Sequence, residues 1–461
     1  MFVAKGLARA FAFTRLAIVL AILPHALDWR SPFLASIRVW AFIGLMTIPL
    51  AIMVAEISAL RRVSGRGALA LSSASLALAV FALAWVSDFE AQFWWKRYEV
   101  LHADPALLER LGRHVVVGYR DIDELNALLE RRAIAGVFVT TRNVQDRDAA
   151  AIRQEIAGMQ AVRARQGLPK LLIATDQEGG IVSRLSPPLP NLPPLAALAA
   201  GHPASAERRM AVRAYAASQA RGLADLGVNV NLAPVVDLDH GVVNPGDRLT
   251  RISARAISSD PQVVAEVAEA YCAQLSENGV RCTLKHFPGL GRVAEDTHLT
   301  SADLTLPPDE LAGTDWLPFR TLMHRSDVVV MLGHARLTAL DRTRPVSFSQ
   351  PVVHGLLRTA WGYDGLLMTD DFSMGAVTHS PEGIGGASVE ALNAGVDLIL
   401  VSYDTDQFYL VMHALIGAAR AGALREETLA QSDRRLAKAW PPAWPAAWPP
   451  TGSAPGPAPP R

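Results

Sequence analysis

Eight short apolar runs rich in β-branched residues recur along this 461-residue chain, at 115–118, 136–140, 171–175, 228–232, 280–284, 328–332, 365–369 and 396–401. Between them lie segments of helical composition, such as 121–132, 206–226, 261–278 and 386–394. Eight strands alternating with helices predict a closed α/β barrel of the (β/α)8 type over residues 101–439. A doubly wound open sheet shares that alternation, but no glycine-rich fingerprint follows the first run.

The first hundred residues read differently. Residues 67–87 carry no charge and are long enough to cross the hydrocarbon core as a helix. Residues 39–55, extended back to Ser36, make a second span, and 11–27, interrupted by Arg15 and Pro24, a weaker third. The last also fits a signal peptide, but the apolar segments after it favour an uncleaved anchor. Lys5, Arg9 and Arg15 flank the first span, Arg61, Arg62 and Arg66 follow the second, and only Arg30 and Arg38 lie between. The positive-inside tendency then puts the N-terminus inside and everything after Ser87 outside the inner membrane, on the periplasmic side. Phe93, Trp94, Trp95, Lys96, Arg97 and Tyr98 read as an interfacial belt. The lipid bilayer is thus the first expected partner, through residues 1–100. Zero formal net charge gives no sign of a nucleic-acid partner. Cys272 and Cys282 are too few for a disulfide framework and have no metal-ligand company, so they read as buried free thiols. Residues 440–461, rich in Pro and Ala, cannot build a core and read as a disordered tail. Its Trp440, Trp444 and Trp448 recur every four residues and are candidate wall or membrane contacts.

In a barrel of this kind, chemistry sits at the C-terminal ends of the strands. There the sequence places Asp176 and Glu178 after the third run, Asp237 after the fourth, Lys285 and His286 after the fifth, His334 after the sixth, and Asp370 and Asp371 after the seventh. Two adjacent aspartates cannot face the same way on a strand, so one faces the mouth while the other is held by hydrogen bonds. An ionised aspartate at a sugar's anomeric carbon is a nucleophile able to form a glycosyl-enzyme, with a second group protonating the leaving oxygen and later activating water. The loop after Lys285 and His286 carries Asp296 and His298, two apart, where the carboxylate can orient the imidazole for that work. Gly289 and Gly291 are placed to let this loop open and close. Asp176, Arg184, Arg255, Lys285 and His286 are candidate polar contacts for a small polyhydroxylated ligand. Arg184 also fits the surface, and Arg255 also fits a pairing with Asp260 or Asp247.

The stretch KHFPGLGRVAEDTH, Lys285 to His298, resembles the signature of glycoside hydrolase family 3, specifically its β-N-acetylhexosaminidase (NagZ-like) branch. LLIATDQEGGIVSRL, LGVNVNLAPVVDL, ARAISSDP, GLLMTDDFSMGAV and ALNAGVDLILV are similar to further motifs of that branch, in the same order. The resemblance covers roughly 112–437. It implies Asp370 as nucleophile, His298 as acid/base with Asp296 as its dyad partner, and Asp176, Arg184, Arg255, Lys285 and His286 as contacts to N-acetylglucosamine. It further implies a retaining exo-hydrolase with no metal and no cofactor, whose partner is a carbohydrate ending in β-GlcNAc, from peptidoglycan fragments or chitooligosaccharides. Leu290 stands where the family has His or Arg, Ile181 where it has Arg, and Thr297 where it has Ser. Arg255 sits in ARAIS rather than RSFS, with Arg248 and Arg251 nearby. A phosphorylase, a β-glucosidase and an inactive sugar-binding sensor are the alternatives; the presence of both Asp370 and His298 argues against the last.

Overall fold

The computed structural model describes residues 2–62, 65–325 and 327–440. Of the expected tail, Trp440 is described and packs against the buried cluster of the barrel rather than hanging free; the rest, with Trp444 and Trp448, lies outside the described residues. The chain divides into two compact units, Met1–Asp104 with Tyr403–His413, and Pro105–Ser402 with Ala414–Arg461.

Among the described residues, the first unit contains three helices long and apolar enough to cross a membrane: α1 (Phe2–Leu27), α2 (Arg38–Leu60) and α3 (Arg66–Leu101). Arg15 on α1 meets the buried Glu56 of α2 in a two-pronged ion pair of 2.7 and 3.1 Å. Charges within apolar helices persist when paired in this way. At 36 residues, α3 is about 54 Å long, against about 30 Å for a bilayer core. The exposed rings of Trp94, Trp95 and Tyr98 therefore ride on the same helix as the uncharged stretch, beyond it. Arg30 bridges Glu90 at 2.7 Å and Asp406 at 2.6 Å, and Arg38 pairs with Asp404 at 2.7 Å, all within this unit.

The second unit is a closed parallel barrel. Its strands are β1 (Val115–Gly118), β2 (Gly136–Phe138), β3 (Leu172–Thr175), β4 (Val230–Asn231), β5 (Arg281–Phe287), β6 (Val328–Leu332), β7 (Leu366–Asp371) and β8 (Leu398–Val401). Each pairs in parallel with its neighbours in sequence, and β8 closes on β1 through Val115–Ile399, Val116–Leu400 and Val117–Val401. The eight apolar runs of the sequence are these eight strands. Side chains alternate across a strand, and one parity fills the barrel. Val116, Leu172, Ala174, Val230, Val329, Met331, Leu366, Met368, Leu398 and Leu400 form one buried cluster. A small antiparallel pair, Gln177–Gly179 with Val182–Ser183, follows β3, and a parallel pair, Ala302–Leu304 with Ala335–Leu337, joins the segments after β5 and β6; neither was evident from the sequence.

One expectation is overturned. Cys272 and Cys282 are not free thiols; they form a disulfide, with Cα atoms 5.3 Å apart. Cys272 lies on the helix Pro261–Glu277 and Cys282 on β5. The chain turns back directly after that helix, so residues ten apart in sequence come face to face. Counting cysteines excludes a framework of several bridges, but it does not exclude a single local one.

Asp397, fully buried at the foot of β8, shows how the barrel's lower end is tied together. Its carboxylate accepts from Arg358 Nη2 at 2.7 Å, Leu367 N at 2.8 Å, Ser432 Oγ at 2.7 Å and Arg435 Nε at 2.9 Å. These donors come from β7 and from the helices Pro351–Ala360 and Glu426–Ala439. Removing the carboxylate strands two buried guanidinium groups. Asp397→Ala is expected to destabilise the barrel by about 3–5 kcal/mol, read as a shift in the urea midpoint. A loss below about 1 kcal/mol would mean that water or a local rearrangement replaces the pairing.

Candidate active site

The inward parity of β7 runs Leu366, Met368, Asp370, so the barrel's own packing rule brings the first aspartate of the pair to the mouth. Its neighbour Asp371 faces the other way and is consumed structurally. Its carboxylate accepts from Ser402 N at 3.0 Å, Ser402 Oγ at 2.6 Å and Ser373 N at 2.9 Å, tying β7 to the end of β8. Asp370 keeps 17% of its side chain exposed, and its Oδ2 lies 4.0 Å from His286 Nε2. Burial pushes its carboxyl up, but the imidazole of His286, then those of His334 and His298, outweigh this and hold it at about 2. His334 is itself driven toward the neutral form by burial. It bonds the Asp371 carbonyl through Nε2 at 3.0 Å and Ser347 Oγ through Nδ1 at 2.8 Å. His286 is the principal support.

His286 is fixed by Asp237, which is fully buried. Nδ1 donates to Asp237 Oδ2 at 2.7 Å, and the backbone N–H groups of His286 and Leu290 also donate to that carboxylate. The ring therefore turns Nε2 toward Asp370. Lys285, on the same strand, is 97% buried by side chain and reaches Asp176 Oδ1 at 2.7 Å and Glu178 Oε1 at 2.6 Å. Burial lowers its ammonium's pKa, but Asp176 and Glu178 more than reverse this. Glu178 also takes both prongs of Arg255, at 3.0 and 2.7 Å. Burial pushes Glu178 up, but Arg255 and Lys285 hold it at about 2. Arg255 thus pairs with Glu178, not with Asp247 or Asp260, and joins the mouth; Asp247 and Asp260 instead cap local backbone N–H groups.

The loop after β5 places the imidazole dyad. Asp296 is buried and receives His298 Nδ1 at 3.0 Å, Thr250 Oγ1 at 2.8 Å and the N–H groups of Leu249 and Arg248 at 3.0 and 3.2 Å. Burial pushes its carboxyl up, but hydrogen bonds from His298, Thr250 and Leu249 hold it well below the usual carboxylate range. With the Thr250 proton given to Asp296, its oxygen is free to share the Nδ1–H of His298, 3.1 Å away. The Nε2 edge of the ring, whose side chain is 35% exposed, has no hydrogen-bond partner among the described residues. The loop docks on the turn after β7, where Gly375 N donates to the His298 carbonyl at 2.7 Å. A side chain at Gly375 would lie 2.4 Å from the Leu299 carbonyl, so only glycine permits that approach. Gly291, expected as a hinge, is similarly a close-packing position, against the Leu238 carbonyl.

Leu290 is buried with Ile252, Ala256, Ala302 and Ala335, so its side chain serves the core beneath the loop. Arg184 follows the Gln177–Val182 hairpin with its side chain exposed and makes no side-chain hydrogen bond or ion pair among the described residues; its N–H donates to the Asp176 carbonyl at 3.0 Å. Asp176, Arg255, Lys285, His286 and Asp370 thus gather directly, Asp296 and His298 come as a docked loop, and Arg184 stands beside Asp176. Glu178, Asp237 and His334 were legible as polar strand ends, but their partners were not. Thr250 carried no sequence signal.

An ionised carboxylate facing imidazoles, in a mouth lined by hydrogen-bonding side chains, fits the hydrolysis of glycosidic bonds. Residues 106–439 match the family described as Glycosyl hydrolase family 3 N terminal domain. The chain is 34% identical over 342 residues to Beta-hexosaminidase LpqI of Mycobacterium tuberculosis (strain ATCC 25618 / H37Rv), covering 72% of this chain and 83% of that protein. It is 36% identical over 277 residues to a Beta-hexosaminidase of Xanthomonas campestris pv. campestris (strain B100), covering 60% and 79%. A solved glycoside hydrolase family 3 beta-N-acetylglucosaminidase from Paenibacillus sp. str. FPU-7 matches with a TM-score of 0.66 at 29% identity, over 75% of this chain and 65% of that one. The solved structure of M. tuberculosis LpqI matches with a TM-score of 0.63 at 32% identity, over 74% and 97%. The chain belongs to glycosyl hydrolase family 3, in its β-N-acetylhexosaminidase branch.

Glu178 is held at about 2, below its ordinary value of about 4.3. Its stabilising contribution is therefore complete above about pH 4 and lost as pH falls through the folded value. Glu178→Gln is expected to be less stable at pH 7, because Arg255 and Lys285 lose their shared partner, and to show a shallower loss of melting temperature between about pH 4 and 2. A pH dependence equal to that of the parent would overturn the assignment of Glu178 as a buried ionised partner.

Proposed function

We propose that this protein is a membrane-tethered retaining exo-β-N-acetylglucosaminidase, acting outside the inner membrane on β-GlcNAc ends of peptidoglycan fragments or chitooligosaccharides. The observation that carries the reading is Asp370, a carboxylate held ionised at about 2 by facing imidazoles and directed into the barrel mouth. In the first step Asp370 attacks the anomeric carbon, the glycosidic C–O bond breaks, and the imidazolium of His298 gives its Nε2 proton to the leaving oxygen. In the second step neutral His298 takes a proton from water, which attacks the anomeric carbon and releases Asp370. Asp296 holds Nδ1 through both steps, so the proton always moves at Nε2. Asp176, Arg184, Arg255, Lys285 and His286 contact the sugar in the innermost subsite. Of these, Lys285 and Arg255 are already held by Glu178, so they are presented without loss of side-chain freedom on binding.

Three apolar helices support the tether, and the arginines and lysines flanking them support an outward barrel. The Cys272–Cys282 bond supports the same side, since disulfides persist in oxidising compartments.

The catalytic reading is tested with the intact protein and 4-nitrophenyl β-N-acetylglucosaminide. Asp370→Ala is expected to lose activity by about 10⁴-fold or more, and His298→Ala to accumulate the glycosyl-enzyme and turn over slowly. Added phosphate is expected to leave turnover unchanged; turnover that requires phosphate would instead establish a phosphorylase, and a folded parent that binds N-acetylglucosamine without turnover a sensor. The nitrophenyl glucoside is the control for a β-glucosidase.

Orientation is tested separately. An alkaline phosphatase fused to the C-terminus is expected to be active, and a cytoplasmic reporter at the same position inactive. The reverse pattern would place the barrel inside.

A further inference from the structure

The barrel carries a cavity with charged side chains set in a largely apolar wall, at the end opposite the catalytic mouth. It has a volume of about 190 Å³ and is lined where β2 and β3 begin, at Ala135 and Leu172. That volume equals about six waters at their liquid density, enough for a small oxyanion. Its charged lining consists of Glu109, Arg113, Arg132, Arg163, Lys170 and Asp433. Arg132 is matched by Glu109 at 2.9 Å and Arg113 by Asp433 at 3.3 Å. Arg163 is matched by neither. Its residue is 8% exposed, and its one side-chain hydrogen bond among the described residues runs from Nε to the Pro169 carbonyl at 3.4 Å.

A guanidinium withdrawn from water without a carboxylate is an unfavourable arrangement unless something else supplies the negative charge. Burial pulls Arg163 down to about 10; Glu109 pulls the other way, while Arg132 and Arg113 add to the lowering. The group stays charged at neutral pH, among like charges. The end of the helix Ala149–Arg165 provides only a fraction of a counter-charge. The planar fork of an arginine, with further cations around it, matches an oxyanion that has several acceptor oxygens. Leu436 and Trp440 on the same wall leave room for an apolar substituent on that anion.

We propose that this cavity is a binding site for a phosphate-type dianion, inorganic phosphate or the head of a phosphomonoester, held by the Arg163 fork with Arg113, Arg132 and Lys170 around it. The site lies outside the catalytic mouth and does not depend on the substrate assigned there.

The test is calorimetric titration of the full-length protein in detergent, in low-chloride buffer, with inorganic phosphate, glycerol 3-phosphate, short-chain phosphatidic acid and acetate. Inorganic phosphate is expected to bind the parent, and Arg163→Met to weaken it by about tenfold or more. Lys170→Gln, an exposed change that gives a reading even where Arg163→Met does not fold, is expected to weaken it about threefold. Asp370→Asn is expected to bind phosphate as the parent does, which separates this site from the mouth. Hydrolysis by Arg163→Met is expected to equal that of the parent. Binding of glycerol 3-phosphate or phosphatidic acid in preference to free phosphate, lost in the same variants, supports the site with an organic or lipid source. Absence of binding by all three phosphates, equal binding by the Arg163 and Lys170 variants, loss of binding in Asp370→Asn, or acetate binding as tightly as phosphate overturns the proposal.

Discussion

The interior of a closed eight-stranded barrel has room for side chains and little else. Every position on the inward parity must therefore be apolar, or polar with its partners supplied. Here the lower and middle layers are the apolar cluster running from Val116 through Leu400. The same parity then reaches Asp176 after β3 and Asp370 on β7, where solvent first enters. The strand period thus brings these two carboxylates to the rim, and each is faced by a side chain of β5, two strands away: Lys285 for Asp176 and His286 for Asp370.

Those ties divide the acids into two kinds. Glu178, Asp237, Asp296 and Asp371 are occupied on every side by cations, imidazoles, N–H groups or hydroxyls, and their work is to hold Lys285, Arg255, His286, His298 and the β7–β8 junction. Asp370 is different. Its side-chain oxygens have one near bond, from the N–H of Asp371 at 2.8 Å, and an imidazole 4.0 Å away. Electrostatic support keeps it ionised while leaving it open to an electrophile. A carboxylate fully wrapped in donors would be as well ionised and much poorer as a nucleophile.

The sequence made the eight strands readable because parallel strands covered by helices are apolar at nearly every position. It also made the strand-end polar residues readable, since a charge directly after such a run stands out. Contacts between distant segments were less accessible. The Glu178–Arg255 pair spans 77 residues and Asp296–Thr250 spans 46, and no local period encodes either. Cys272 and Cys282 were misread because pairing depends on the turn between helix and strand, which composition does not record. Gly291 was misread for a related reason: a glycine needed for freedom and a glycine needed for close approach look the same until the opposing Leu238 carbonyl is seen.

The choice of histidine at position 298 follows from the charge already present. A second carboxylic acid beside Asp370 would interact with it as a like charge, raising one of the two and placing the ionisation of Asp370 at risk. An imidazole avoids that conflict. In its charged form it favours ionised Asp370, and when neutral it adds no negative charge to a mouth already carrying Asp176, Glu178 and Asp370. An imidazole oriented in this way needs Asp296 to be low enough to stay ionised while lying behind the ring. Its burial and its bonds from Thr250, Leu249 and Arg248 meet both conditions. The acid that orients the imidazole thus lies behind the ring, on its Nδ1 side, where its charge favours the protonated ring and is kept away from the Nε2 edge.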